Sequence, residues 1–190
     1  LESLHHDLLS GGTSFDASDV RLRFVEQLHE IGRTLSYVHR DHRRAIDLFR
    51  IALKFDGNHP YSHHYLAFNL DWLAEQPVQV EEHYREAIRL QSTHPWWWSR
   101  WISYLATRGR FREARLAWRE AMDSMSVSES GSPRWLFLSL HRWVARWLLH
   151  WAELDFAEEV LRSIPTEVAE SDTSIQTLGS LLAALREAER

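Results

Sequence analysis

Twelve histidines are spread through this chain, and imidazole is the side chain best suited to binding metals or moving protons near neutral pH. His39 and His42 stand about a helical turn apart, as do His59 and His63, while His5-His6 and His63-His64 are adjacent pairs. A zinc hydrolase would need His-Glu-x-x-His, and that string does not occur. A closed metal site needs several ligands converging in space. Solvated or helix-capping histidines are expected instead, with no metal and no cofactor. Glu81-Glu82 and Glu158-Glu159 pair carboxylates in sequence but fall on the outer faces of expected helices, as solvated charge. Gly11-Gly12, the only adjacent glycines, lack the lysine and spacing of a phosphate loop. No nucleophile motif occurs, so the residues predict no catalysis.

The remaining chemistry is that of recognition. Trp96-Trp97-Trp98 is followed by Trp101. Trp98 and Trp101 lie three apart, share a helix face and are expected in the core. Trp96 and Trp97 are freer, and an exposed one would anchor a partner or another copy of the chain. Arg33, Arg100, Arg142 and Arg146 supply cations among these rings.

The bulk composition narrows the class. Of 190 residues, 44% are apolar, enough for a folded domain. The formal charge of −5 argues against non-specific nucleic-acid binding, which needs a strongly basic face. There is no cysteine, which excludes disulfides and cysteine-based zinc or redox sites and suits a reducing cytoplasm. No apolar run approaches the roughly 20 residues that span a bilayer; the richest, Trp143 to Trp151, is broken by Arg146 and His150. The first residue is Leu1 and no signal peptide is visible, so the chain is expected to be a segment of a larger protein.

What positions these side chains is a repeat. Ala45, Phe49 and Ala52 are spaced by four and three residues. Val80-Tyr84-Ala87 and Ala114-Trp118-Ala121 copy that spacing, and Ala157-Leu161-Ile164 is a weaker fourth copy. The steps from Ala52 to Ala87 to Ala121 are 35 and 34 residues, and the last, to Ile164, is 43. A second series, Gly32, Ala67, Ile102 and Ala145, keeps steps of 35, 35 and 43. Small residues let helix backbones approach to about 8 Å, and the large residue four places after each second-helix alanine fills the groove so formed. Ile102, Val80 and Ile164 depart from the pattern.

Helix signals fit helical pairs. A short helix is expected over residues 1–9, broken at Gly11-Gly12. Side chains from Asp16 to Asp19 can start a long helix that runs to about Tyr37. A second helix spans about 43–55 and stops at Asp56-Gly57-Asn58. Pro60 and Pro95 each follow a histidine and open a new helix. Glu75 to Pro77 and Arg108-Gly109-Arg110 are turns. Ser124 to Pro133 reads as a loop that lengthens the last step, and Ser132-Pro133 starts the next helix. Pro165 ends its partner. Thr173 and Gln176 have capping-box spacing for a final helix over about 174–189, with Leu178, Leu181, Leu182 and Leu185 on one face.

Over about residues 23–165 the chain resembles the tetratricopeptide repeat (TPR) family. The third copy carries the likeness best, with Trp98, Trp101, Ile102, Leu105, Gly109, Phe111, Ala114, Trp118 and Ala121. The resemblance implies an all-α, right-handed superhelix of about four helix pairs with a C-terminal capping helix. The first helix of each pair would line a concave face. That face would carry His29, Arg33 and Tyr37, then Tyr61, His64, Tyr65, Phe68, Asp71 and Trp72. Trp96, Ser99, Arg100 and Ser103 would follow, and then Arg142, Trp143 and Arg146. The family's clamp for a chaperone's terminal carboxylate needs lysines and asparagines where this chain has His29, Arg33, Tyr65, Trp96 and Arg100; only Arg100 fits, so that ligand is not expected. The aromatic positions fit packing between repeats as well as contact with a partner.

The expected organisation is an N-terminal segment (1–20), four repeats (21–58, 59–93, 94–131 and 132–165) and a capping helix (166–190). The expected function is a non-catalytic cytoplasmic module that grips a peptide or protein segment, as the sensing or scaffolding part of a larger regulatory protein. A self-association or docking domain is the alternative. Single-stranded nucleic acid bound along the four arginines is a third reading, which the acidic balance disfavours.

Overall fold

The fold is that of a computed structural model, which describes residues 17–126 and 134–189. Among the described residues there are helices and no strands. The chain runs α1 (Ala17–Thr34), α2 (His42–Phe55), α3 (Pro60–Trp72), α4 (Pro77–Leu90), α5 (Pro95–Ala106) and α6 (Phe111–Ser126). It continues through α7 (Arg134–His150), α8 (Leu154–Arg162), α9 (Thr166–Ser171) and α10 (Thr173–Ala188). Consecutive helices pair as α1/α2, α3/α4, α5/α6 and α7/α8, and each pair leans on the next: α2 on α3, α4 on α5, and α5 on α7. The result is an all-helical solenoid, closed at its C-terminal end by α10 against α7 and α8. The helix expected over residues 1–9, its glycine break and Ser132-Pro133 lie outside the described residues. So does most of the expected Ser124 loop, although α6 continues through its first three positions.

Both repeat series sit in the core. Ala45, Phe49, Ala52, Val80, Tyr84, Ala87, Ala114, Trp118 and Ala121 are all buried, as are Ala67, Ile102 and Ala145. Gly32 shows the reason for small residues: a Cβ there would meet the Phe49 ring at 2.8 and 2.9 Å. That ring is itself stacked on Tyr65 at 5.7 Å.

The corner inside each pair has a common construction. Ala74, Gly109 and Ala152 have φ of 53°, 70° and 57°, and each lies seven residues after the small-residue position of its pair. The next amide closes the turn: Glu75 N–H donates to Leu70 O, Arg110 N–H to Leu105 O and Glu153 N–H to Leu148 O, at 2.9–3.0 Å. This is the wider hydrogen bond of a left-handed helix stop. In the first pair the left-handed residue is Arg40 (φ 56°), one place later, and Asp41 N–H reaches back to Leu35 O at 2.9 Å. The extra residue is absorbed by a π-helical turn, Leu35–His39. α1 therefore gives up α-geometry at Thr34 rather than near Tyr37. The four acceptors Leu35, Leu70, Leu105 and Leu148 form a third series with the same steps as the small residues.

Helix starts follow side-chain chemistry. Pro60, Pro77 and Pro95 each open a helix, where a missing N–H costs little. The His59 ring accepts from Ser62 N–H at 3.3 Å as a cap. α10 is capped by Asp172, whose carboxylate accepts from Ser174 and Ile175 N–H at 2.9 and 3.1 Å; the expected Thr173 cap is thus corrected by one residue, to the stronger acceptor. α8 stops at Arg162, just before Pro165 as expected, and Pro165 then leads into the short helix α9.

Candidate binding face

The face built by α1, α3, α5 and α7 begins with rings that touch in sequence. His29 of α1 lies 5.5 Å from Tyr61 and 5.1 Å from Tyr65 of α3. Tyr37 stacks on Phe68 at 5.5 Å, and His42 stacks on Trp72 at 5.1 Å. His42 donates from Nδ1 to Asn69 Oδ1 at 2.8 Å, and Asn69 donates to Tyr65 O at 2.6 Å. Tyr61 reaches forward to Trp97 of α5 at 5.0 Å, and Trp97 is held between His94 (3.9 Å, stacked) and His64 (4.4 Å). Arg100 lies between the rings of Phe68 and Trp96, at 4.8 and 4.6 Å. Trp96 meets Trp143 of α7 edge-on at 5.4 Å.

Of the residues expected on this face, Tyr37, Tyr61, Trp72, Trp143, Arg33 and Arg146 are exposed. Tyr65, Asp71, Trp96, Arg100 and Arg142 are half-buried. His29 and Phe68 are buried and His64 is fully so, at 0% exposure, which makes these three packing residues rather than contacts for a partner. Ser99 and Ser103 are buried as well. Trp98 and Trp101 are in the core as expected, but so is Trp97, at 1% exposure. The cause is α5 itself, which is packed on by α4, α6 and α7 and buries ten of its twelve residues.

Burial favours the neutral form of the histidines at the α1, α3 and α5 contact. His29 is pushed down to about 4, mainly by desolvation and then by His59 nearby. His64, wholly enclosed and without a hydrogen-bond partner, is held well below its usual value. Desolvation lowers His59 and His94 too. Outside the face, His63 and His83 share a hydrogen bond between their Nδ1 atoms at 2.9 Å. His63 Nε2–H donates to Gly57 O at 2.9 Å, so its Nδ1 accepts and His83 donates. His83, which sequence spacing does not single out, is pushed down to about 4 by burial and then by His63. Among the described residues no three His, Asp or Glu side chains gather as a metal would require.

The charged groups divide into two kinds. Asp71 is held by Arg108 of the following pair at 2.7 Å, and Arg33 pairs with Glu30 at 2.8 Å. Arg142 has only Ser139 Oγ at 3.4 Å and Asp172 at 3.7 Å. Arg100 and Arg146 have no carboxylate partner among the described residues, and the Nε of Arg100 is buried without an acceptor.

Two clefts open beside Trp143. One, about 330 Å³, lies between α5 and α7 and is lined by His94, Pro95, Trp96, Ser99, Ser139, Leu140 and Trp143. The other, about 470 Å³, lies between α7 and α10 and is lined by Arg142, Trp143, Arg146, Ser174, Thr177 and Leu178. The contribution of α10 is not visible in the repeat pattern, which stops at residue 165; only the apolar stripe through Leu178 hinted that this helix faces the array. Among the described residues no helix is long and apolar enough to cross a membrane.

No protein-family model matches the chain, and no curated protein matches its sequence. Among solved structures it is similar to the Yersinia enterocolitica type III secretion translocator chaperone SycD, in an alternative dimer form. The TM-score is 0.48 at 13% identity, covering 94% of this chain and 99% of that one. The solenoid stands on the chain's own helix packing.

Proposed function

We propose that the chain is a non-catalytic interaction module that takes up a peptide or an extended protein segment along the face of α1, α3, α5 and α7. The observation that carries this is the continuity of the face. Exposed Tyr37 and Tyr61 rest on buried rings, exposed Trp143 meets half-buried Trp96, and the strip ends in two clefts that share Trp143. Aromatic and arginine side chains dominate binding hot spots. Rings held by their neighbours lose little further entropy when a partner arrives. In a TPR-like array this is the concave side, and the module would serve as the sensing or scaffolding part of a larger protein.

A photo-crosslinking phenylalanine placed at Tyr61 or Trp143, in extract of the native cell, tests the reading. Adducts with another protein are expected from these positions and not from Val78 or Leu116, which are exposed on α4 and α6. Adducts formed only at Val78 and Leu116 would move the interface to the other side of the array. Adducts formed only with a second copy of the chain would favour self-association.

A further inference from the structure

Two arginines wall the cleft between α7 and α10. Most arginines here answer a carboxylate: Arg43 with Glu75, Arg89 with Glu86, Arg108 with Asp71 and Arg110 with Glu81, at 2.5–2.7 Å. Arg142 and Arg146 stand together on this cleft, and among the described residues no carboxylate lines it. The nearest, Asp172, spends Oδ1 on capping α10 and reaches Arg142 only at 3.7 Å. Across Trp143, Arg100 repeats the theme, flat between Phe68 and Trp96 with its Nε unanswered. This cationic stretch belongs to a chain of net charge −5. The apolar part of the cleft is Trp143 and Leu178, and Ser174 and Thr177 border it.

We propose that this cleft receives the carboxylate side chains of an acidic, extended peptide segment. Arg146 and Arg142 are the ion-pair donors, and Trp143 with Leu178 is the platform for an apolar side chain beside the acid. The inference rests on the binding-face reading above and adds the chemistry of the partner. Guanidinium groups present forked donors that match a carboxylate. Held next to a ring and a leucine, that pairing is less screened than one on open surface.

A random twelve-residue phage-displayed peptide library, selected on the full chain, tests this. Enriched peptides are then measured as fluorescein conjugates by anisotropy. Enrichment in Asp and Glu spaced by apolar residues is expected. Affinity should fall about tenfold or more in the Arg142→Ala/Arg146→Ala variant and as salt rises. Arg89→Ala, on α4 outside the face and already paired with Glu86, should bind as before. Circular dichroism checks the fold, and Arg146→Gln, at an exposed side chain without a carboxylate partner, serves if the double variant does not fold. Peptides lacking acidic residues, or affinity untouched by Arg146→Gln, would overturn the charge assignment; the binding face itself would still stand if Tyr61→Ala or Trp143→Ala abolished binding. No enrichment at all would sink both. Oligo(dT) binding that depends on Arg146, with acidic peptides unable to compete, would assign the cleft to nucleic acid and overturn the proposal.

Discussion

Gly32 is the residue where the repeat can be tested by a single methyl group. Alanine is the better helix former by about 1 kcal/mol, so on propensity alone Gly32→Ala would stabilise α1. The added Cβ would press on a Phe49 ring held between His29 and Tyr65, however. Overpacking of a filled core costs about 1–3 kcal/mol. A net loss of about 1 kcal/mol is expected, read from the urea midpoint; an increase in stability would show that the ring can move. Residue-level roles were legible where spacing decides them, as for Trp98 and Trp101. Trp97 was misjudged because a helix with neighbours on several sides buries more than one stripe, and no spacing rule within α5 reveals how many helices will touch it. The pairing of Arg108 and Arg110 across repeats was equally hidden. Their carboxylates arrive from the preceding pair, 29 residues away for Arg110–Glu81 and 37 for Arg108–Asp71.

Helix corners carry a second, independent test. Gly109 and Ala152 occupy the same left-handed position in different pairs, both exposed, and a Cβ at Gly109 would touch nothing. Their exchange therefore isolates backbone cost. Gly109→Ala should destabilise by about 1 kcal/mol, and Ala152→Gly should be neutral or stabilising by up to about that amount, because a non-glycine residue in this region is strained. Thermal unfolding of the two variants should show shifts of opposite sign; equal shifts would refute the common construction. The sequence announced the corner at Gly109 by its glycine. It gave no such mark at Arg40, Ala74 or Ala152, where packing of the leucine before the turn overrides local preference.

Buried rings on α1, α3 and α4 also set a pH response. His29 and His83 are pushed down to about 4, whereas in the unfolded chain they titrate near 6.5. Between those values the unfolded state holds protons that the folded state refuses. Stability is therefore fully present above about pH 6.5 and is lost progressively as pH falls toward 4. His64, lowered in the same direction by complete burial, adds to the loss. Urea midpoints at pH 7.5, 6 and 5 should fall in that order, and His83→Gln should flatten the slope. A midpoint independent of pH would mean that these rings are not desolvated.

At the scale of the molecule, two regular steps and one long one were readable before any coordinates. The stacking follows them: the fourth pair meets the third through α5, with Arg115 and Arg119 of α6 reaching Glu159 of α8 at 3.1 and 3.3 Å. What spacing could not show was how the C-terminal helix closes the end. α10 lays Leu178, Leu182 and Leu185 against the core, leaves Leu181 exposed and thereby builds one wall of the Arg146 cleft. The docking of α10 thus makes the proposed binding face longer than the repeats alone.

Each pair of helices is held chiefly by the pairs beside it in the chain. Tension along such a row bears on every link together, and the weakest gives first, with no single keystone. A tether built this way yields in instalments and regains its length as the load is released.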